Sequence, residues 1–289
     1  MSPQVAVIDI GSNSVRLMLG RAENGRVVSL KKTLCSTRLA KDIDRTGRLT
    51  EDRMADTVDA IEAFVHQASA FGVPIIIYAT SAVRDASNRD DFCARVLART
   101  GIGVHVLSGE EEGNYAFSAV TGGEGTVFDI GGGSFQVVTK EQSLSYPCGC
   151  VRAKAVCDAS DPDTLERELF AWIDQKAAPL PTVPQPVYGV GGTITSIGAL
   201  LANQRVYDGA NLCDITLSDL DRMRREWSAV SEADRLNHPL LTQKRGDIIL
   251  QGMTILRYQM VRTGTERVIP SDRDGMEGIA QALWLASNR

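Results

Sequence analysis

The sequence predicts an α/β fold of two related domains, each a mixed sheet flanked by helices. At 126–139 an apolar strand ends in Asp129, a turn of three glycines and Ser134 follows, and a second, alternating strand begins. A segment at 5–20 repeats this order, with Asp9, a glycine, two small residues and a serine. Two copies of one hairpin, roughly a hundred residues apart, indicate a duplicated fold whose halves face each other.

A third glycine turn follows the strand-like run 186–190, where Gly191-Gly192-Thr193 opens a helix. Consecutive glycines lack the Cβ atoms that would keep backbone N–H groups from an anion, and a helix N-terminus attracts negative charge. Asp129 supplies the oxygen ligand that Mg²⁺ prefers. The three turns together predict a cage for a phosphate chain with Mg²⁺ beside it. Alone, the 126–139 segment is equally well an ordinary hairpin that uses glycine for its positive φ.

The other elements follow from local signals. A helix that is capped by Thr50 and runs to Phe71 is predicted by acidic residues in its first turn, by Gly72 after its end and by an apolar stripe at helical spacing. The continuous apolar run 73–79 predicts a buried strand. The remaining predicted elements are strands at 26–34, 103–107 and 266–270, and helices at 88–100, from Glu110 toward Val120, at 163–178, at 218–227 capped by Ser218, at 247–263 and at 276–287.

Composition excludes several classes of protein. The formal charge of −5 over 289 residues argues against a general nucleic-acid binder, although a local field in a cleft can still attract a polyanion. The start of the chain has no signal-like segment, and the longest apolar run, 73–79, is too short to span a bilayer. The six cysteines fit neither a paired zinc motif nor a secreted disulfide framework. We therefore expect reduced thiols in a cytoplasmic protein, with zinc at Cys148, Cys150 and Cys157 as the weaker alternative.

Six motifs occur in order along the chain: Asp9-Ile-Gly-Ser-Asn-Ser14, Ala79-Thr-Ser-Ala-Val-Arg84, Ser108-Gly-Glu-Glu-Glu112, Asp129-Ile-Gly-Gly-Gly-Ser134, Gly189-Val-Gly-Gly-Thr193 and Ser271-Asp-Arg273. Together they resemble the exopolyphosphatase / guanosine pentaphosphate phosphohydrolase (Ppx/GppA) family, in its short two-domain form, within the actin-like ATPase superfamily. The resemblance covers residues 5–278. It implies two actin-like (ribonuclease H-like) domains, 1–120 with 276–289 and 121–275, and an active site in the interdomain cleft.

The resemblance also implies the chemistry, which is hydrolysis of a terminal phosphoanhydride bond with Mg²⁺ or another divalent cation. Glu112 would orient and deprotonate the attacking water, and Arg84 would stabilise the charge on the transferred group. Asp129 would hold the metal ion, with Asp9 as a second carboxylate. The residues expected to bind phosphoryl oxygens are Gly11, Ser12, Asn13, Gly131, Gly132, Gly133, Ser134, Gly192 and Thr193.

Two positions depart from the family pattern. A glutamate usually stands two residues after the second-hairpin serine, and here that position is Gln136. An amide coordinates a cation but contributes no negative charge, so metal affinity or metal choice is expected to change. The usual Arg-Glu pair near the C-terminus reads Met276-Glu277, which loses a cation. Neither change touches Glu112 or Arg84.

The leading hypothesis is a Mg²⁺-dependent exopolyphosphatase acting on inorganic polyphosphate. A second hypothesis is an enzyme that removes the 5′-terminal phosphate of guanosine pentaphosphate. A third is a low-turnover sensor of (p)ppGpp or polyphosphate, with which Gln136 is compatible. An actin-like sugar kinase or ATPase is weaker because no motif requires it. A Rossmann dehydrogenase built on 189–192 lacks the third spaced glycine. We expect no nucleic-acid or membrane partner and leave formation of a homodimer open.

Overall fold

The computed structural model describes residues 3–241 and 245–287, and the chain divides into two compact units. Unit 1 is Met1–Ala119 with Gly275–Arg289, and unit 2 is Val120–Asp274. The described residues form strands β1 (Val5–Ile10), β2 (Val15–Glu23), β3 (Arg26–Cys35), β4 (Ile75–Ala79), β5 (Val104–Val106), β6 (Thr126–Ile130), β7 (Phe135–Val138), β8 (Ser143–Tyr146), β9 (Val187–Val190), β10 (Ile215–Thr216) and β11 (Arg267–Pro270). They form helices α1 (Ile43–Thr46), α2 (Glu51–Ser69), α3 (Ser81–Asp85), α4 (Arg89–Thr100), α5 (Gly109–Val120), α6 (Cys150–Val156), α7 (Pro162–Lys176), α8 (Gly192–Leu201), α9 (Leu217–Ser228), α10 (Glu232–Asn237), α11 (Ile249–Thr263) and α12 (Gly275–Ser287).

Unit 1 contains a mixed sheet in the order β3-β2-β1-β4-β5. The central strand β1 runs antiparallel to β2 and parallel to β4, and it is buried along its whole length. A strand covered on both faces is expected to read as a mostly apolar run, as β1 does except at Asp9. The final helix α12 packs against this sheet, where Met276, Ile279 and Ala280 join the core residues Val7 and Met18.

Unit 2 contains a mixed sheet in the order β10-β11-β9-β6-β7-β8. Helix α11 lies against it and brings the fully buried Tyr258 to Phe135, with ring centroids 6.2 Å apart. Tyr258 also meets Phe170 of α7 edge-on at 5.0 Å. Aromatic pairs in such tilted geometry contribute about 0.5–1.5 kcal/mol beyond the burial of their area. The core of unit 2 therefore joins the sheet to helices α7 and α11.

The two sheets repeat one topology. In each, a three-stranded antiparallel meander (β1-β2-β3 or β6-β7-β8) is extended by a strand parallel to its first member (β4 or β9). The hairpin turns match as well, because Gly11 N donates to Ser14 O at 3.0 Å and Gly131 N donates to Ser134 O at 2.9 Å. The predicted α/β class with a duplicated fold is confirmed.

Several predicted boundaries are corrected. Helix α2 ends at Ser69, because the N–H groups of Phe71 and Gly72 bond only three residues back to Ala68 and Ser69. The cap of α9 is Thr216, whose Oγ1 accepts from Asp219 N at 3.1 Å, so Ser218 is already helical.

Other differences concern where helices begin. Helix α11 begins at Ile249, after a turn in which Ile248 N donates to Arg245 O at 3.0 Å. The short helices α3, α6 and α10 were not predicted, because helices of five to seven residues are too short for a periodic signal.

In the described ranges, no helix is long and apolar enough to cross a membrane.

Candidate functional site

In unit 1, Arg84 and Glu112 form an ion pair. Arg84 lies on α3 directly after β4, and Glu112 lies in the first turn of α5 after β5. The parallel strands β4 and β5 are neighbours, so their carboxyl ends bring the two side chains together. Arg84 Nη1 donates to Glu112 Oε2 at 3.2 Å and to Leu107 O at 3.0 Å. The structure thus unites two residues that are 28 positions apart in sequence.

The three consecutive glutamates of α5 have different environments. Glu111 accepts from Ser108 N at 2.8 Å while Ser108 Oγ accepts from Glu111 N at 3.1 Å, which is a capping box. The hydrogen bond from the Ser108 backbone holds the pKa of Glu111 below its usual value. Glu110 is exposed, whereas Glu112 is only partly exposed and contacts Arg84. Glu112 is therefore the glutamate whose environment suits a chemical role.

The first hairpin turn, 11–14, contacts the start of helix α3, which carries Arg84. Thr80 N donates to Ile10 O at 3.2 Å, and the hydroxyls of Ser12 and Ser81 lie 3.3 Å apart. Ser81 is in the first turn of α3, the helix that carries Arg84. The turn residues Gly11, Ser12 and Asn13 thus lie beside α3.

Asp9, the second predicted metal ligand, is engaged by Arg16 across the hairpin. Its Oδ2 accepts from Arg16 Nε at 2.8 Å and from Arg16 Nη2 at 2.5 Å. Asp9 is almost fully buried and is the register partner of Arg16 on β2. A metal ion at Asp9 would have to share this carboxylate with a guanidinium, which makes Asp9 the less suitable of the two predicted ligands.

In unit 2, the carboxyl ends of β6 and β9 bring the other predicted residues together. The strands are parallel neighbours, with Asp129 in register with Val190. Asp129 Oδ1 lies only 3.0 Å from where a Cβ of Gly191 would stand, and Gly191 has a positive φ of 88°. Glycine at 191 therefore lets the carboxylate approach the turn that opens α8. The turn 131–134 follows β6 directly, with its Gly131 and Gly132 carbonyls bonded to N–H groups of α6 at 3.0 and 2.8 Å.

Arg245 is a candidate site residue that our sequence analysis did not identify. Its guanidinium occupies the place where a side chain on Gly192 would stand. A cation is therefore held against the glycine turn that opens α8. The only sequence signal is one arginine before a glycine, four residues ahead of α11, and it does not indicate where the side chain goes.

Cys150 lies behind the same turn. Its Sγ is 3.2 Å from Thr193 Oγ1, and both side chains are buried. Burial raises the pKa of the Cys150 thiol to about 11, so it stays protonated at neutral pH. Cys148 and Cys157 are also buried thiols outside any disulfide. A structural role in packing therefore accounts for this cysteine cluster.

The residues at the end of unit 2 strand β6 suit a Mg²⁺ ion. In the part of the chain that the structure describes, no three His, Cys, Asp or Glu side chains are grouped as a protein-only metal site would require. Mg²⁺ commonly uses one or two carboxylates together with water and substrate phosphates, so such a cage is not needed. Asp129, partly exposed and beside two glycine turns, meets that requirement.

The two departures from the family pattern have different surroundings. Met276 is fully buried in the core of unit 1, and the adjacent Glu277 forms an ion pair with Lys32 Nζ at 2.9 Å. Gln136 is buried beside Ser134, to which its amide nitrogen donates at 3.0 Å. Methionine at 276 thus contributes to packing, whereas Gln136 contacts a predicted phosphate-binding residue.

Gly192→Ala is expected to weaken binding of tripolyphosphate about tenfold to hundredfold, the equivalent of losing a hydrogen bond to a charged group. The added methyl group would displace the Arg245 guanidinium. Titration calorimetry measures the effect. Gly103→Ala is the matched control, because a Cβ there meets nothing within 4 Å. Equal affinity of the two variants would contradict the importance of this contact.

Known proteins resemble this chain over most of its length. The model of the Ppx/GppA phosphatase family matches residues 20–283. Exopolyphosphatase 2 of Mycobacterium tuberculosis H37Rv is 29% identical over 313 residues, which cover 97% of this chain and 98% of that protein. The guanosine-5′-triphosphate,3′-diphosphate pyrophosphatase of Aliivibrio fischeri is 29% identical over 89% of this chain but 54% of its own length. The crystal structure of the Aquifex aeolicus Ppx/GppA family member matches with a TM-score of 0.79 at 28% identity, over 99% of this chain and 98% of that one.

The duplicated fold defines a two-domain α/β protein, with acidic and basic side chains at the carboxyl ends of its central strands. Within that class, the chain belongs to the Ppx/GppA phosphatase family and is a hydrolase. The predicted family, fold class and enzyme class are confirmed.

Proposed function

We propose that this chain is an exopolyphosphatase that removes the terminal phosphoryl group of inorganic polyphosphate as orthophosphate, with Mg²⁺ as cofactor. The observation that carries the proposal is the Arg84–Glu112 pair, a partly buried carboxylate held against a guanidinium at the ends of parallel strands. The similarity to exopolyphosphatase 2 over nearly both full lengths supports the choice of substrate.

In the proposed reaction, Glu112 is the general base. Its carboxylate takes a proton from a water molecule whose oxygen attacks the terminal phosphorus. The bond between that phosphorus and the bridging oxygen breaks, and the shortened chain leaves with the electron pair. Arg84, the ion-pair partner of Glu112, would stabilise the charge that develops on the transferred group.

The glycine turns would bind the phosphoryl oxygens through backbone N–H groups, because such turns and helix N-termini attract anions. In unit 2 these groups belong to Gly132–Ser134 and to Gly192 and Thr193, because the Gly131 N–H is already donated to Ser134 O within the turn. Arg245 adds a positive charge. Asp129 would hold Mg²⁺, which would neutralise charge on the phosphate chain when bound. Positioning and charge neutralisation supply most of the catalysis in phosphoryl transfer.

A second candidate function is removal of the 5′-terminal phosphate of guanosine pentaphosphate. It is favoured by the similarity to the Aliivibrio fischeri pyrophosphatase across 89% of this chain. The same base and arginine would serve both reactions, which differ only in the group that carries the terminal phosphates. A low-turnover sensor of the same ligands is the non-enzymatic alternative.

The test is orthophosphate release from long-chain polyphosphate, guanosine pentaphosphate and ATP, each with Mg²⁺ and with EDTA. We expect release from polyphosphate that disappears with EDTA. Faster release from guanosine pentaphosphate would favour the second candidate. Steady release from ATP alone would favour an ATPase. No release from any of the three, with binding retained, would replace the enzyme proposal by the sensor.

A further inference from the structure

The amide of Gln136 joins two serine hydroxyls at the base of the second glycine turn. Its Nε2 lies 3.0 Å from Ser134 Oγ and 3.4 Å from Ser145 Oγ. Gln136 and Ser134 are 1% and 3% exposed. Gln136 Oε1 is buried and has no hydrogen-bond partner among the described residues. Gln136 stands across β6 and β7 from Asp129 in strict register.

The orientation of this amide follows from its surroundings. An amide nitrogen has two donors and an amide oxygen none. With the nitrogen facing the two hydroxyls, both N–H groups have acceptors, and only one acceptor atom is left unpaired. The reversed amide would leave two buried N–H groups without acceptors, which costs more than one unpaired oxygen. The nitrogen therefore faces the serines.

This orientation determines how the Ser134 hydroxyl can act. Its oxygen accepts from Gln136, so its hydrogen remains available for donation. In the ranges 3–241 and 245–287, no side chain or carbonyl takes that hydrogen. Ser134 closes the turn whose Gly131 N–H it accepts at 2.9 Å, so the unused donor belongs to the proposed phosphate turn.

We propose that Gln136 is a positioning residue that keeps the Ser134 hydroxyl as a hydrogen-bond donor to a phosphoryl oxygen. The turn 131–134 would then bind the anion without a metal ion coordinated by the side chain at position 136. A glutamate there can only accept, so Ser134 would donate to the carboxylate and present lone pairs to the anion. A carboxylate at 136 would thus make anion binding depend on a metal ion. The inference rests on the proposed function for the identity of the ligand.

The first hairpin offers a comparison. In that hairpin, Asp9 is in register with Arg16. Arg16 lies two positions after the turn serine Ser14, just as Gln136 lies two positions after Ser134. Neither hairpin of this chain therefore carries an acid at this position. In unit 1 a cation neutralises the aspartate, and in unit 2 an amide orients the serine.

The test is binding of tripolyphosphate to Gln136→Glu in EDTA at pH 8, measured by titration calorimetry. We expect affinity about tenfold to hundredfold below wild type, the loss equivalent to one hydrogen bond to a charged group. Addition of Mg²⁺ should restore most of it. Lowering the pH should also narrow the gap to wild type, because the protonated carboxyl can donate to Ser134. A purely structural defect would respond to neither.

Gln142→Glu is the matched control, since it makes the same charge change at an exposed residue between β7 and β8. Ser134→Ala should weaken binding by itself and remove the additional effect of Gln136→Glu. Thermal unfolding checks that each variant is folded. The inference is overturned if wild type does not bind tripolyphosphate in EDTA. It is also overturned if the affinity of Gln136→Glu equals that of wild type or of Gln142→Glu. The third contradicting result is a loss of affinity from Gln136→Glu that is just as large in the Ser134→Ala background. Binding by wild type without orthophosphate release would remove the proposed function and leave the inference standing.

Discussion

Glu112→Gln is expected to reduce turnover by roughly three orders of magnitude, within the range that a general base contributes, while tripolyphosphate still binds. Glutamine keeps the size of the side chain, and its amide oxygen can still accept the hydrogen bond that Arg84 Nη1 donates to Glu112 Oε2 at 3.2 Å. It cannot take a proton from water. Orthophosphate release and calorimetric binding, measured on the same preparation, separate the two effects.

Glu111→Gln is the matched control, since it makes the same change one residue earlier on α5. Glu111 closes the capping box with Ser108, and a glutamine can serve there as well. We expect near wild-type turnover from this variant. If Glu112→Gln were as active as Glu111→Gln, the base would have to be another group.

Arg84→Met is expected to lower kcat about a thousandfold, since an arginine that stabilises the transferred phosphoryl group is worth about 10³–10⁵ in rate. Methionine keeps most of the apolar stem but removes the charge. It also removes the ion pair with Glu112 and the hydrogen bond to Leu107 O. Steady-state kinetics with polyphosphate should show most of the loss in kcat rather than KM.

Arg89→Met controls for the loss of one positive charge, because Arg89 lies on the exposed first turn of α4. Its turnover should match wild type. Arg84→Lys should recover only part of the activity, since lysine restores the charge but not the planar fork. If Arg84→Met only raised KM and left kcat unchanged, Arg84 would contribute to substrate binding and not to stabilisation of the transferred group's charge.

Local patterns predicted much of the fold. The two glycine hairpins were visible because glycine and serine positions repeat in the same order after an apolar strand, and turn chemistry is local. The capping residue of α9 was misplaced, because Thr216 and Ser218 are both good caps and only the backbone geometry distinguishes them. Short helices such as α3 were missed because their formation depends on packing more than on pattern.

The sequence by itself determined the α/β class, the duplicated hairpins and the family, because each depends on residue order within a short segment. Only the tertiary structure decided which side chains meet. Arg84 contacts Glu112 because β4 and β5 are parallel neighbours, and Arg245 reaches Gly192 from a distant turn. The role of Gln136 depends on which atom of its amide faces Ser134, and that follows from the hydrogen bonds available in a buried site. Long-range contacts and buried hydrogen-bond geometry arise from packing, which a linear pattern does not encode.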